Sequence, residues 1–306
     1  MQRIYIFSGL VLLLAACAHT HPMASANIHF HGDTATDANG KLLLLGQHPR
    51  TDLEQAPFAS WFDTDYASYT VDSTVVSRLR PLLEDHTFEI FMGTWCGDSR
   101  REVPRMFKIL DACHVPADHI RLIMVDYRGH MYKQSPRHEE QGRYIVHVPD
   151  LLILDGAMNS EQGRIVESPV VSLEKDLLSI AEGAPYEPQY PAAYWLSAQL
   201  KRSPEDWSDE KLAITVDSLR TKTTSESELY TLSYVLLQQR DTTHAVLVSR
   251  LNTAVFPRSA LAYIYMGHIC AGMSDTDGAR KAYEHALELD PKTKQAKDWL
   301  DAHPRS

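Results

Sequence analysis

The hydrophobic pattern changes character four times along the chain. Residues 4–16 form an apolar run broken by Ser8 and Gly9, shorter than the roughly 20 residues a membrane-spanning helix needs. Residues 41–84 carry short apolar patches and many aromatics, among them Phe58, Trp61, Phe62, Tyr66 and Tyr69. They predict a packed, partly helical lead-in over 57–72 and an amphipathic helix over 75–83. From 87 to 182 strand-like and helix-like patterns alternate, the signature of an α/β domain. Strands are expected at 88–92, 122–125, 151–154 and 164–166, with a turn at Asp155-Gly156. A helix is expected from Asp98 through 103–110, and another over 172–181, capped by Ser172 with Glu174 and Lys175 in its first turn. The proline-rich stretch 183–191 breaks the pattern. Residues 192–302 read as helices only.

Composition narrows the function. A chain of 306 residues fits two domains. Its net charge of −10 argues against nucleic acid as a partner, because a phosphate backbone rewards clustered Lys and Arg. Four cysteines, Cys17, Cys96, Cys113 and Cys270, are too few for a disulfide scaffold. The apolar run follows Arg3 and ends in Leu14-Ala15-Ala16-Cys17. This layout is that of an export signal, and the terminal four residues resemble the lipobox of bacterial lipoproteins. The resemblance implies cleavage before Cys17, acylation of Cys17 and membrane attachment through the lipid. Ala18 in place of an aspartate implies the periplasmic side of the outer membrane. Residues 1–16 are thus expected to be a signal peptide and 17–40 a polar tether. The tether holds His19, His21, His29 and His31; no cysteine or carboxylate stands at a metal-ligand spacing, so the reading is a solvated tether and no metal.

The chemistry concentrates at Gly93-Thr94-Trp95-Cys96-Gly97-Asp98-Ser99. A strand runs into this turn and a helix leaves it. A cysteine at a helix N-terminus faces unpaired N–H groups and the positive end of the dipole, which favours the nucleophilic thiolate. With the later Val148-Pro149 before a strand, and Asp155-Gly156 leading to Gly163-Arg164-Ile165-Val166-Glu167, the stretch resembles the thioredoxin superfamily. It is most similar to a bacterial thioredoxin-like group marked by Trp-Cys-Gly-Asp-Ser followed by Glu-Val-Pro, here Glu102, Val103 and Pro104. The resemblance implies a thioredoxin-like fold over 41–182, Pro149 as a cis-proline facing Cys96, and Trp95, Val148 and Pro149 as the wall on which substrate docks.

Departures from that family bear on activity. Ser99 stands where a thioredoxin has its second, resolving thiol; its hydroxyl is expected to hydrogen-bond a Cys96 thiolate. Asp98 works against the thiolate. Ile90 occupies the place of the family's buried acid, and Glu89 points to the opposite face of the strand. Cys113 lies some 20 Å or more along the helix from Cys96, beyond the roughly 7 Å that a disulfide allows, so it is expected to pack as a small apolar residue. Asp126, His130, Lys133 and His138 follow a strand end, where ligand sites of α/β folds sit and from which they would line the active face; the favoured reading is a solvated loop.

In the helical part, Tyr263, Met266, Gly267, Cys270, Ala279, Tyr283, Ala286 and Pro291 resemble the pattern of a tetratricopeptide repeat. Shifting back 34 residues gives a degenerate copy in which Ala245 and Pro257 match. This places Cys270 in a core and implies either a protein-binding groove or a helical cap over 192–306. The expectation is therefore an α/β thioredoxin-like domain followed by an all-α tetratricopeptide-type helical domain, joined at 183–191. Cys96 and Ser99 would act on thiols or disulfides of exported proteins without a cofactor. The competing readings are a redox-silent binding module and, less favoured for lack of a resolving cysteine, a thiol peroxidase.

Overall fold

The computed structural model describes residues 29–157, 159–202, 207–223 and 225–305. Cys17, His19 and His21, with the signal and lipid-attachment readings, lie outside them. Among the described residues no helix is long and apolar enough to cross a membrane.

The N-terminal half is built on a six-stranded mixed sheet in the order β1-β2-β4-β3-β5-β6. Its strands are β1 (Asp33–Thr36), β2 (Leu42–His48), β3 (His86–Met92), β4 (Ile120–Met124), β5 (Asp150–Asp155) and β6 (Ser160–Val166). Only β3 and β4 run parallel, joined by helix α3 (Gly97–Ala112); the other neighbours are antiparallel. Strands β1 and β2 go beyond the sequence expectation: residues 33–36, expected within the tether, form β1. The edge is tied down at Asp52, whose carboxylate accepts from His31 Nδ1 and His48 Nδ1, both at 2.7 Å. Burial opposes ionisation of Asp52, but these bonds outweigh it and hold the carboxyl below its ordinary range.

Strand alternation divides the core. Phe88, Ile90 and Met92 face helices α1 (Ala59–Ser68), α2 (Ser73–Leu82), α3 and α4 (Leu173–Ala181) in the main cluster. Phe91 faces the other way, with Ile123, Val125, Val148 and Leu152, against Trp95 and Cys96. The expected cap of α4 is present: Ser172 Oγ accepts from Lys175 N at 3.2 Å. Glu89 is buried opposite Ile90 and pairs with Arg121 and Arg143.

The C-terminal half is helical: α5 (Pro191–Arg202), α6 (Asp209–Arg220), α7 (Glu226–Gln238), α8 (Thr242–Val255), α9 (Ala260–Gly272), α10 (Thr276–Leu289) and α11 (Lys294–Ala302). Alternate helices begin at 191, 226, 260 and 294, a recurrence of 34–35 residues. Each of α7 and α9 packs on its successor and on the other, and α6 packs on α8. This stacked-hairpin pattern buries what a lone helix pair leaves exposed.

Gly267 makes the α9–α10 contact possible, since a Cβ there would lie 2.6 Å from the Tyr283 ring, and Tyr283 is buried. Gly267→Ala is therefore expected to lower stability by about 1–3 kcal/mol through overpacking, against alanine's better helix propensity. Urea unfolding of the full chain measures this; a variant as stable as the parent would contradict so close a contact.

The two halves share a core. Val146 and Val166 pack with Ala192, Leu196, Val216 and Leu232 of the helices. The stretch 183–190 contains no helix or strand, yet Tyr186 and Tyr190 pack against the neighbouring clusters.

Candidate active site

Strand β3 ends at Met92, and four residues later Cys96 is the N-cap of the 16-residue helix α3. Arg100 N donates to Cys96 O at 3.1 Å as the helix begins. The turn between strand and helix folds back on itself: a Cβ on Gly93 would stand 2.4 Å from the Trp95 indole, so only glycine lets Trp95 lie there. Trp95 Nε1 donates to Val125 O at 2.9 Å, which fixes the indole beside the cysteine.

Opposite Cys96 stands the Val148–Pro149 peptide, which is cis. The Cys96 thiol donates to Val148 O, with Sγ 3.2 Å away. The structure thus brings together Trp95, Cys96, Val148 and Pro149. Ser99 differs from expectation. It is fully buried, and its hydroxyl accepts from Gly93 N at 3.3 Å; the thiol's own bond runs to Val148 instead. The reason is geometric: Ser99 points from the first turn of α3 back into the strand end rather than toward its mouth. Asp98 is half-exposed, and its charge is balanced by Arg101 Nη2 at 2.8 Å.

Cys113 and Cys270 are free and buried. Cys96 and Cys113 are the N-cap and C-cap of α3, roughly 25 Å apart along the axis. Burial pushes the Cys113 thiol up to about 11 and also raises that of Cys270.

Lys133 departs from the favoured expectation of a solvated loop: it is 6% exposed and lies on the active face. Its backbone is pinned to the end of β4, with Lys133 N donating to Asp126 O and Asp126 N donating to Gln134 O, both at 2.8 Å. Its ammonium lies 4.8 Å from the Trp95 ring centre and 5.4 Å from that of Tyr132. Desolvation pulls its pKa down to about 8, against the opposing pull of Cys96, Glu167 and Asp150. Asp126 is also buried, gripped by Arg128 through Nε at 2.9 and 3.0 Å. His130 and His138 remain exposed.

A second group flanks the cis peptide. The His147 and Tyr190 rings stack with centroids 3.7 Å apart. Glu167 takes His147 Nδ1 at 3.1 Å and the Tyr190 hydroxyl. Burial raises the Glu167 carboxyl, but these two bonds outweigh it and hold the group below the usual range. Tyr190 also feels the charge of Asp98. Tyr190 thus brings the 183–191 stretch onto His147, the neighbour of the cis peptide.

A polar cleft of about 700 Å³ opens between the 130–144 segment and the end of α7, lined by His130, Gln134, His138, Tyr144 and Asp241. Cys96 is not among its walls, and the local chemistry favours the cysteine's turn over this cleft. Among the described residues no group of three or more His, Cys, Asp or Glu is placed to hold a metal. Comparison with protein families, with curated proteins and with solved structures finds no match.

Proposed function

We propose that this chain is a thioredoxin-like protein of the bacterial envelope, lipid-anchored through Cys17, which exchanges disulfides on exported proteins through the single thiol of Cys96. The observation that carries the reading is the thiol at the N-terminus of α3, 3.2 Å from the Val148 carbonyl. A helix N-terminus favours an anionic sulfur, and Val148 offers backbone beside it for a partner chain. With Ser99 in place of a second thiol, a mixed disulfide would be resolved by an external thiol. The recurrence of 34–35 residues between alternate helices supports the tetratricopeptide-type reading of 192–306 and a role there in holding a protein partner.

The test is disulfide reshuffling. The full chain, mixed with a scrambled disulfide protein and reduced glutathione, is expected to speed recovery of the native pairing, and Cys96→Ser to abolish that gain. Equal rates for the two would overturn the reading. A redox-silent binding module is the second reading. It is favoured by Ser99 in the place of the resolving thiol and by Asp98 in the first turn of α3.

A further inference from the structure

We propose that Lys133 is the proton-transfer group of the Cys96 site, an inference that rests on the exchange reading above. Disulfide exchange has a proton problem. The Cys96 thiolate attacks one sulfur of R–S–S–R′, forming Cys96–S–S–R and expelling R′–S⁻. An alkyl thiolate leaves poorly unless it is stabilised or protonated. No carboxylate serves this turn: Ile90 fills the core, Glu89 is held by Arg121 and Arg143, and Asp98 is paired with Arg101.

Lys133 meets the requirement by position. It is buried, with no salt bridge to any carboxylate among the described residues, and is seated on the ring of Trp95, the residue before Cys96, near enough for the sulfur's charge to act on it. The groups that act on it by charge are Cys96, Glu167 and Asp150; Trp95 and Tyr132 cover it with rings. Glu167 is already bonded to His147 and Tyr190, and Asp150 to Arg164 and Tyr194. Both carboxylates thus already hold a cationic or hydroxyl partner, whereas Cys96 bonds only the neutral Val148 carbonyl among the described residues. Desolvation brings the ammonium's pKa to about 8, near that of a thiol, where proton transfer is most effective.

The step balances. The Lys133 ammonium gives its proton to R′–S⁻, releasing R′–SH and leaving a neutral amine. An external low-molecular-weight thiol, R″–SH, then loses its proton to that amine. R″–S⁻ attacks the R sulfur of the mixed disulfide, giving R–S–S–R″ and regenerating the Cys96 thiolate and the ammonium. Nothing is oxidised or reduced overall.

Two probes separate proton transfer from simple charge. Hydroxyethyl disulfide expels an alkyl thiolate that needs a proton; an aromatic disulfide of the nitrobenzoate type expels a thiolate that does not. With the full chain, Lys133→Met is expected to slow the alkyl probe at least tenfold more than the aromatic one. Lys133→Arg keeps the charge but holds its proton, so it should restore the aromatic rate and not the alkyl rate. The alkyl rate of the parent, relative to the aromatic rate, should also fall as pH rises through about 8. Equal slowing of both probes by Lys133→Met, or full rescue of both by Lys133→Arg, would overturn the proposal while leaving exchange at Cys96 intact. A parent Cys96 inert to both probes would overturn the exchange reading itself, and this proposal with it.

Discussion

Arg164→Met is expected to lower the stability of the chain by about 3–5 kcal/mol, the cost of leaving a buried charge without its partner. Arg164 lies in β6 and is 5% exposed. Its Nη1 donates to Asp150 Oδ2 at 2.9 Å, its Nε to Glu161 Oε1 at 2.7 Å, and its Nη2 to Arg143 O at 3.1 Å. The guanidinium also lies 4.6 Å from the Tyr194 ring centre, and Tyr194 OH donates to Asp150 at 3.1 Å. One side chain therefore joins the strand after Pro149, the sheet edge and α5. Even with Arg164 present, burial pushes Asp150 up to about 6. Without it, Asp150 would be buried either charged and unpaired or protonated, both at a cost. Urea unfolding at pH 7 measures the loss. The double variant Arg164→Met, Asp150→Asn should recover much of it, because the orphaned charge is then gone; a loss below about 1 kcal/mol for the single variant would show that the pair does not join the halves.

Lys133→Met is expected to act in the opposite direction, raising stability at pH 7 by about 1–3.5 kcal/mol. The upper figure is the shift from 10.5 to about 8, converted at about 1.4 kcal/mol per unit; the lost cation–π contact with Trp95 offsets part of it. The sign follows from proton linkage. Between pH 8 and 10.5 the unfolded chain holds a proton that the native lysine has released. Parent stability therefore rises across that window, and the full penalty applies below it. The advantage of Lys133→Met should be greatest below pH 8 and close toward pH 10.5. Thermal unfolding of both chains from pH 6 to 10.5 measures it, and an advantage constant with pH would contradict a buried ammonium. A residue whose removal stabilises the fold is the kind a site keeps for its chemistry.

Much of this architecture was legible because period and packing agree. Strands β3 to β6 carry short apolar cores with clear turns, and α4 announces itself through Ser172. Strands β1 and β2 escape the sequence pattern for a physical reason. Leu42 to Leu45 is a continuous apolar run without alternation, and Asp33-Thr-Ala-Thr36 has no apolar face; both are strands because they pair with each other and β2 pairs with β4. Cys96, Trp95, Val148 and Pro149 could be singled out by motif. Lys133 stands after a strand end, which allows a place on the active face, but its burial is not legible, because it depends on the fold of the whole 127–144 segment, and Tyr132 beside it packs on Tyr234 of α7, about a hundred residues on. Tyr190 was hidden in the same way: a proline-rich stretch reads as a break, and only the structure brings it onto His147 and Glu167.

Exchange through this fold requires that Cys96 be the thiol that reacts in the folded protein. The direct measurement is to treat the native full chain with a small disulfide reagent and map the modified cysteine by peptide mass spectrometry over time. The structure predicts rapid mixed-disulfide formation at Cys96, with Cys113 and Cys270 modified only after unfolding, since both are buried. A native protein in which Cys96 reacts no faster than Cys113 or Cys270 would contradict it.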